Sequence, residues 1–399
     1  MTNRFNESRK KFTLDWILVS IIAFNGLLGI IGIYLAAPLN NGNTSADFII
    51  RQLFWFAVSI VLVYIILKMG TDRLFTLAYP LYFILMILLF FQVLASKQII
   101  TTSLIPWRNG AYAWYDIPGI GSFQPSEFMK IVLLLIGANI IMKHNEERTK
   151  FSFKDDVKLL MKLAVYVLPA LIFIFLQPDT GVPIIIVISF AVMFFMSGVR
   201  REWFIIIGSA ACVVFFGIIY LYYNDPQTLN ALFGGSGTNY RLDRFYGWLD
   251  FEKYSIDQGH QLYRAISSIG TAGWTGHPLK SVVLVYPESR TDFIFAVLAQ
   301  NFGFMGAVVV IVACFSLDLR LAYITYRSDL MRERTVMAGV LGLLIFQHFQ
   351  NIGMVVGLLP ITGITLPLIS QGGSSLVSYM IPFAIAFHMY SEIQNAHQH

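Results

Sequence analysis

Residues 16–37, with the sequence WILVSIIAFNGLLGIIGIYLAA, form an apolar stretch that contains no charged side chain. A helix needs about 20 apolar residues to span the hydrocarbon core of a bilayer, so this stretch is long enough. It is too long for the apolar core of a signal peptide and lacks a small-residue cleavage site. We therefore interpret it as the first permanent membrane helix.

Similar apolar stretches recur along the whole chain. They cover residues 53–69, 74–95, 131–142, 159–176, 182–198, 203–223, 293–317, 336–359 and 376–389. With 56% hydrophobic and only 13% charged residues, the chain cannot form a soluble globule with a polar surface. The sequence predicts an all-α polytopic integral membrane protein, with a single transmembrane domain over residues 1–399 and about ten transmembrane helices.

The basic residues indicate how these helices are oriented. If the N-terminus lies inside, the segments on the cytoplasmic side contain most of the basic residues that the topology rule counts. They are Arg4, Arg9, Lys10, Lys11, Lys68, Arg73, Lys143, Arg148, Lys150, Lys154, Lys158, Lys162, Arg200, Arg201, Arg320, Arg327, Arg332 and Arg334. Both termini are therefore predicted to be cytoplasmic. The net charge of +5 largely reflects this bias, and the sequence lacks the contiguous basic face that nucleic-acid binding requires.

Two long loops are predicted on the opposite, extracellular side. They span residues 96–124 and residues 224–291, and the larger one lies between the seventh and eighth helices. Loops of this length are uncommon unless they bind, cap or catalyse. The two cysteines, Cys212 and Cys314, lie within apolar stretches and are interpreted as small core residues.

The outer end of the fourth helix contains two ionisable residues. Pro125 suits the first helical turn, and Glu127 suits the positive end of the helix dipole. Lys130 follows three residues later on the same face, already within the apolar stretch. The two residues are either an ion pair that neutralises itself in the membrane or part of a polar pocket wall.

Residues 177–181, QPDTG, join the fifth and sixth helices in a turn based on Pro and Gly. We expect Asp179 to cap the next helix, in preference to a catalytic role.

The larger loop combines arginines, aromatic residues and glycines. Arg241 and Arg244 lie within YRLDRFYGWL at residues 240–249, where they could clamp a phosphate or belong to an interfacial aromatic belt. The glycine-rich residues 269–277 could approach a pyrophosphate. They lack the Gly-Lys-Ser/Thr ending of a P-loop, so the sequence does not support a nucleotide cofactor.

Residues 287–296, PESRTDFIFA, place acids and an arginine immediately before the eighth helix. Partial desolvation would raise the pKa of Asp292 toward a value useful for a general base, unless Arg290 opposes the shift. An N-terminal helix acid stabilised by the dipole is an equal alternative. Small residues in the last segments, 350–375, favour close helix packing.

The order of these motifs resembles the SEDS family (shape, elongation, division and sporulation), and within it the RodA branch more than the FtsW branch. The resemblance covers nearly the whole chain. It rests on residues 124–127, 177–181, the region of Arg244, 269–273, 291–296, 351–363 and 372–375. The chain departs from a common family form at Arg290, where a histidine often stands, and at residues 268–273, SIGTAG, where AIGSGG is usual.

The resemblance implies a ten-helix peptidoglycan glycosyltransferase of the bacterial cytoplasmic membrane that polymerises lipid II at the outer face. Its implied partners are a class B penicillin-binding protein and other elongation or division machinery. Asp292 matches the family's essential aspartate, and Trp114 matches a functionally important tryptophan. The predicted substrate-binding residues are Trp114, Glu127, Lys130, Arg241, Arg244, Glu288, Arg290, Thr291 and Ser374.

The implied reaction also sets the chemical roles. Asp292 would act as the base for the attacking alcohol, and a single displacement would invert the anomeric centre. Arg244, Arg241 or a bound divalent cation such as Mg²⁺ or Mn²⁺ would stabilise the leaving pyrophosphate. The alternative function is a lipid II flippase or other amphiphile transporter, which should place its essential charges near the bilayer midplane. A membrane scaffold is a third possibility and would tolerate loss of Asp292.

Overall fold

The computed structural model describes residues 12–37, 45–108, 110–119, 121–148, 152–179, 181–233, 240–254, 259–279, 281 and 287–396. The basic residues Arg4, Arg9, Lys10 and Lys11 lie outside this part of the chain. The helices are α1 Trp16–Ala36, α2 Ser45–Met69, α3 Thr71–Ser96, α4 Pro125–Glu147, α5 Phe153–Leu176, α6 Gly181–Met196, α7 Glu202–Asn224, α8 Pro226–Phe233, α9 Tyr240–Leu249, α10 His260–Gly270, α11 Ile294–Arg327, α12 Met331–Val355 and α13 Gly373–Ala396. Two short strands, β1 Tyr115–Ile117 and β2 Gly121–Phe123, precede α4.

The membrane helices agree with the sequence prediction. Among the described residues, nine helices are long and apolar enough to cross a membrane, and α6 is a shorter apolar helix of 16 residues. At 1.5 Å per residue, α6 is about 24 Å long, so it falls short of a full span only slightly. The prediction of an α-helical protein with about ten transmembrane helices is confirmed.

The long loops contain structure that the sequence analysis did not predict. Residues 96–124 include an antiparallel hairpin in which Tyr115 pairs with Phe123 and Ile117 pairs with Gly121. Gly119 in the connecting turn has φ of +80°, a conformation that favours glycine. Residues 224–291 contain the three short helices α8, α9 and α10. The all-α prediction therefore holds for the membrane part and is incomplete for the first outer loop.

Helix α11 is bent near its outer end by a close approach of the preceding loop. Gly303 has φ of +64°, and a Cβ atom there would lie 2.5 Å from the backbone nitrogen of Gly276. Only glycine permits this contact, which continues with a hydrogen bond from the N–H of Phe304 to the carbonyl of Gly273 at 2.9 Å. The bend fixes residues 273–276 of the larger loop against the helix that follows the loop.

The core of the bundle is formed by α4, α12 and α13, whose membrane-spanning parts are mostly buried within the protein. Around them, α1 packs on α11, α2 on α13, α3 on α4, and α6 on α12. In contrast, α7 buries only Trp203. Its remaining side chains are half-buried or exposed, as expected for a helix that faces lipid along most of its length.

The two ends of the described chain lie close together. The backbone N–H of Thr13 donates to Ser391 Oγ at 3.1 Å, so α1 begins where α13 ends. Asp15 caps α1 through the N–H groups of Ile17 and Leu18 and also binds Arg320 near the end of α11. The connection between α11 and α12 lies at this same end. That this end faces the cytoplasm stays a prediction from the distribution of basic residues.

Candidate active site

A cavity of about 420 Å³ lies at the other end of the bundle, where α2, α4, α6 and α13 begin. Both long loops contribute to its wall. The charged side chains that line it are Arg51, Arg108, Arg244, Arg290, Glu127, Asp179, Glu288 and Asp292. Trp114, Thr291 and Ser374 also line it, so most of the predicted site residues lie around one cavity. The side chain of Arg241 lies outside the described residues, although its backbone belongs to α9.

Asp292 is held immediately before α11 by hydrogen bonds to its own and the neighbouring backbone. Asn351 Nδ2 donates to the carbonyl of Asp292 at 2.8 Å and to that of Ile364 at 2.7 Å. Ser370 Oγ donates to the carbonyl of Thr291 at 2.6 Å. These contacts fix the backbone, so the carboxyl group is positioned by α12 and the segment before α13.

The environment of Asp292 suits proton transfer near neutral pH. Burial raises the pKa of its carboxyl group to about 7. The positive charge of Arg244 and a hydrogen bond with Thr291 lower this pKa, whereas the negative charge of Glu288 raises it. From the sequence, Arg290 was named as the cation that could oppose the shift; in the structure the cation that lowers this pKa is Arg244.

Arg244 reaches the cavity from α9 by lying against a glycine. A Cβ atom at Gly363 would lie only 2.7 Å from Arg244 Nη1, and Gly363 has φ of +72°. A side chain at this position would displace the guanidinium group. Helix α9 is held close to the segment before α13 by Trp248, whose Nε1 donates to the carbonyl of Gly357 at 3.0 Å. Arg244 is therefore placed between the larger loop and the segment before α13.

Asp179 has the predicted capping role and also faces the cavity. Its Oδ1 accepts from the N–H of Val182 at 3.3 Å, and its Oδ2 accepts from Gln124 Nε2 at 3.2 Å. Burial raises the pKa of Asp179 to about 6, and the positive charge of Arg244 lowers it. Arg244 thus interacts electrostatically with two carboxyl groups, Asp179 and Asp292. Thr180 of the same turn lies outside the described residues.

Glu127 and Lys130 form the predicted ion pair, with 2.7 Å between Oε2 and Nζ. Lys130 is 1% exposed and also donates to the hydroxyl group of Tyr379 at 2.9 Å. Tyr379 in turn donates to Gln347 Oε1. Glu127 and Gln347 line the cavity, whereas Lys130 and Tyr379 lie behind them. Lys130 is therefore placed to hold Glu127 rather than to contact a ligand. The two residues form an ion pair, and of the two only Glu127 is part of the polar wall.

The remaining predicted residues connect the segments around the cavity. Ser374 Oγ accepts from the N–H of Gln124 at 3.0 Å and donates to the carbonyl of Ser122 at 3.3 Å, which attaches the hairpin to α13. Thr291 Oγ1 donates to Glu288 Oε2 at 2.6 Å. Arg290 lies over the ring of Phe48, with 3.6 Å between its Cζ atom and the ring centroid.

The site also contains residues that were not predicted from the sequence, namely Arg51, Gln52, Arg108, Gln347 and Tyr379. Arg51 and Gln52 are polar residues at the outer edge of an apolar stretch, a signal that would have marked them as candidates. Arg108 lies in the segment before β1 and pairs with Asp116 of β1 at 2.5 Å. This pair depends on how that segment folds back onto β1, which the sequence pattern did not indicate.

The predicted divalent cation has no complete set of protein ligands in the described part of the chain. Within that part, no group of three or more His, Cys, Asp or Glu side chains is arranged to hold a metal ion. Mg²⁺ is often bound by one or two carboxylates together with substrate phosphates, and Asp292 and Glu288 are close enough to interact electrostatically. The requirement for Mg²⁺ or Mn²⁺ stays a prediction.

Comparison with known proteins links this architecture to named relatives. FtsW of Nitrosomonas europaea, a probable peptidoglycan glycosyltransferase, is 35% identical over 283 residues, which are 69% of this chain and 67% of the relative. The peptidoglycan glycosyltransferase MrdB of Escherichia coli K12 is 33% identical over 290 residues, 71% of this chain and 72% of the relative. Stage V sporulation protein E of Bacillus subtilis is 28% identical over 388 residues, 94% and 96% of the two chains.

Two solved structures share the fold. One is a chain of a peptidoglycan synthase complex whose structure describes the coordination of polymerization and crosslinking. It has a TM-score of 0.73 at 25% identity, and the match covers 96% of this chain and 99% of that one. The rod shape determining protein RodA of Thermus thermophilus has a TM-score of 0.63 at 24% identity, covering 95% and 97% of the two chains. Because the chain is similar to FtsW, MrdB and SpoVE proteins alike, its assignment to the RodA branch stays a prediction.

The family model for the FtsW, RodA and SpoVE cell cycle proteins matches residues 12–395, nearly the whole chain. Together with the long apolar helices, this match identifies a multi-pass protein of the cytoplasmic membrane. The chain therefore belongs to the FtsW/RodA/SpoVE family, the SEDS family that the sequence motifs indicate.

Proposed function

We propose that this protein is a peptidoglycan glycosyltransferase that polymerises lipid II at the outer face of the cytoplasmic membrane, for cell elongation and shape. One observation carries the proposal. A carboxyl group with a pKa of about 7, Asp292, lies beside an arginine in a cavity at one end of the helix bundle. A general base works best when its pKa is close to the operating pH.

The proposed reaction joins two lipid-linked sugars. The 4-hydroxyl group of the N-acetylglucosamine of lipid II attacks the anomeric carbon of the growing strand, and a new carbon–oxygen bond forms. The bond from that carbon to the diphosphate breaks, and its electron pair leaves with undecaprenyl diphosphate. Asp292 takes the hydroxyl proton, while Arg244 is close enough to stabilise the negative charge of the leaving group. A single displacement inverts the configuration at the anomeric carbon.

The position of the charges favours this enzyme over a flippase. The carboxylates and arginines of the cavity belong to helix starts and outer loops, so they lie at one end of the bundle. A transporter that alternates access places its substrate site near the bilayer midplane. A site at the membrane surface suits a substrate whose sugars are in water and whose lipid is in the bilayer.

We further propose that the protein acts with a class B penicillin-binding protein and with other elongation or division machinery. The support is its similarity to a chain from a peptidoglycan synthase complex, which was described as coordinating polymerization and crosslinking. Affinity capture from a strain that expresses tagged protein tests this pairing. Recovery of no class B penicillin-binding protein, with full activity of the isolated chain, would count against it.

The activity is tested with purified protein in lipid nanodiscs, with and without the cognate penicillin-binding protein. Fluorescent lipid II is supplied, and the products are separated on a gel that resolves glycan strands. We expect long strands from the parent protein and none from Asp292→Asn. Transfer of fluorescent lipid II across a vesicle membrane without polymer would instead support the flippase.

The cellular role is tested by depletion. Loss of an elongation polymerase should produce round cells, whereas loss of a division polymerase should produce filaments. Filaments would show that the protein serves division, and would leave the chemistry unchanged.

A further inference from the structure

A second group of hydrogen-bond donors lies on the α2 side of the same cavity. Phe48, Arg51, Gln52 and Trp55 are spaced so that they share one face of α2. Arg51, Gln52 and Trp55 line the cavity, and Phe48 supports the guanidinium group of Arg290. Two arginines from distant parts of the chain therefore reach the same wall.

Several of these donors have no acceptor in the part of the chain that the structure describes. Gln52 is 2% exposed, and its Oε1 accepts from the N–H of Gly372 at 3.3 Å, which leaves Nε2 buried without a partner. Arg290 Nη1 is likewise buried without a hydrogen bond. Arg51 forms no ion pair with a described residue. Buried donors without acceptors are costly, so these groups are suited to a ligand that brings acceptors.

The start of α13 adds backbone donors to this wall. Gly372, Gly373 and Ser374 line the cavity, and the first N–H groups of a helix attract anions. A Cβ atom at Gly373 would lie 2.4 Å from Trp55 Nε1, so α2 approaches the helix start only because Gly373 has no side chain. The wall is thus both positively charged and rich in donors, which are the properties of a phosphate-binding site.

We propose that this wall, formed by Arg51, Gln52, Arg290 and the start of α13, is a second diphosphate-binding subsite. It is formed by different residues from the region of Arg244, which lies against Gly363 and acts on Asp179 and Asp292. The ligand is the diphosphate that the acceptor lipid II retains during the reaction. This inference rests on the proposed polymerase function.

The reaction chemistry assigns the two regions to different diphosphates. The leaving diphosphate is bonded to the carbon under attack, so it must lie close to the base, where Arg244 is. The diphosphate of the acceptor is separated from the attacking hydroxyl group by a disaccharide. A polymerase that binds both lipids at once needs a second anion site in addition to the one beside its base. Arg51 and Gln52 lie on α2, a different helix from that of Arg244, and supply donors for it.

The test compares kinetic parameters of variants in nanodiscs of neutral lipid. Arg51→Gln removes a charge, and Gln52→Glu keeps the acceptor for Gly372 while replacing the Nε2 donor with a negative charge. We expect each to raise the lipid II concentration for half-maximal rate about tenfold, as for lost hydrogen bonds to a charged group. The rate at saturation should stay within about threefold of the parent. Arg73→Gln, an exposed arginine at the opposite end, is the matched control and should change neither parameter.

A second arm separates this inference from the proposed function. Binding of fluorescent lipid II is measured in the Asp292→Asn background, with unlabelled undecaprenyl diphosphate or phosphatidylglycerol as competitor. Weaker binding in Arg51→Gln, with competition by undecaprenyl diphosphate only, supports the subsite even if the parent makes no polymer. Equal competition by phosphatidylglycerol would indicate a general site for anionic lipids and overturn the assignment. Unchanged binding and rates in both α2 variants, with an active parent, would also overturn it.

Discussion

The two ends of the helix bundle use the same residue types in opposite ways. At the end opposite the cavity, Asp156 is 0% exposed and accepts from Arg148 Nη2 at 2.5 Å, from the N–H of Arg200 at 3.2 Å and from Trp203 Nε1 at 3.2 Å. Arg320 binds Asp15 with both Nε and Nη2, at 2.9 and 2.8 Å. Each of these carboxylates has its hydrogen-bonding capacity used within the protein.

At the cavity end, some residues are paired, such as Glu127 with Lys130, but Asp292, Asp179 and Arg290 are incompletely neutralised. Asp292 and Asp179 have pKa values raised by burial to about 7 and about 6, and Arg290 Nη1 has no acceptor among the described residues. A buried charge without full compensation costs stability. From this contrast we infer that the paired charges hold the helices together, whereas the incompletely neutralised charges of the cavity are available to bind a charged substrate.

The largest effect is expected at the cavity end, for Asp292→Asn. The substitution keeps the size of the side chain but removes its ability to take a proton. General base catalysis typically contributes about 10² to 10⁴ in rate, so the polymer should fall below detection in a gel assay. Membrane insertion and partner binding should remain, because Asn keeps the size of the side chain and burial already disfavours the charged form of Asp292. Polymerisation near the parent rate would exclude Asp292 as the base and direct attention to Glu288.

For Asp156→Ala we expect the opposite result, a loss of stability with little change in activity. Leaving buried donors without an acceptor costs about 1–3 kcal/mol. The N–H of Arg200 and Trp203 Nε1 would lose their acceptor. Arg148 would keep Asp155 as its counter-charge. We expect a lower apparent melting temperature in detergent and a lower yield. The rate of polymerisation per folded molecule should stay near that of the parent. A stable variant that fails to polymerise would show that Asp156 is needed for activity and that the two ends of the bundle are not divided into a stabilising end and a catalytic end.

A smaller loss is expected for Arg244→Ala, compared with Arg334→Ala at the other end of the bundle. Removing one group that stabilises transition-state charge costs about 10² to 10³ in rate. Arg334 is placed away from the cavity and serves as the control for folding and insertion. The measurement is polymer formed at matched amounts of protein in the membrane. Equal losses in the two variants would indicate that Arg244 has only a structural role.

The membrane helices could be predicted from the sequence because their signals are local. Residues 203–223 predicted α7, Glu202–Asn224, almost to the residue. The stretch 293–317 ended too early for α11, which continues to Arg327, because charged residues follow the apolar part. Asp318 and Arg320 are tolerated there since His348 Nδ1 lies 2.9 Å from Asp318 and Arg320 binds Asp15. These partners are far apart in sequence.

The cavity could be predicted only in part for the same reason. The motif around Asp292 was recognisable, and the resemblance to a family supplied its role. The hairpin was missed because each of its strands has only three residues. The helices α8 to α10 were missed because they are too short to span a membrane, although each has an apolar face. The sequence marks Arg51 and Gln52 only as polar residues at the edge of an apolar stretch. That they line the cavity depends on how α2 packs against α13, where Gln52 accepts from the N–H of Gly372.

The smallest effect expected, and the most specific, is a shift in pH dependence. Because the base must be deprotonated, polymerisation should rise about tenfold per pH unit below the pKa of Asp292 and level off above about 7. Arg244 lowers this pKa, so Arg244→Gln should move the midpoint to higher pH, whereas Arg244→Lys should not. Arg51→Gln should leave the midpoint unchanged, since Arg51 belongs to the α2 wall. The measurement is the initial rate at low lipid II concentration from pH 5 to 9, with Arg73→Gln as control. An unchanged midpoint in Arg244→Gln would show that Arg244 does not act on the base.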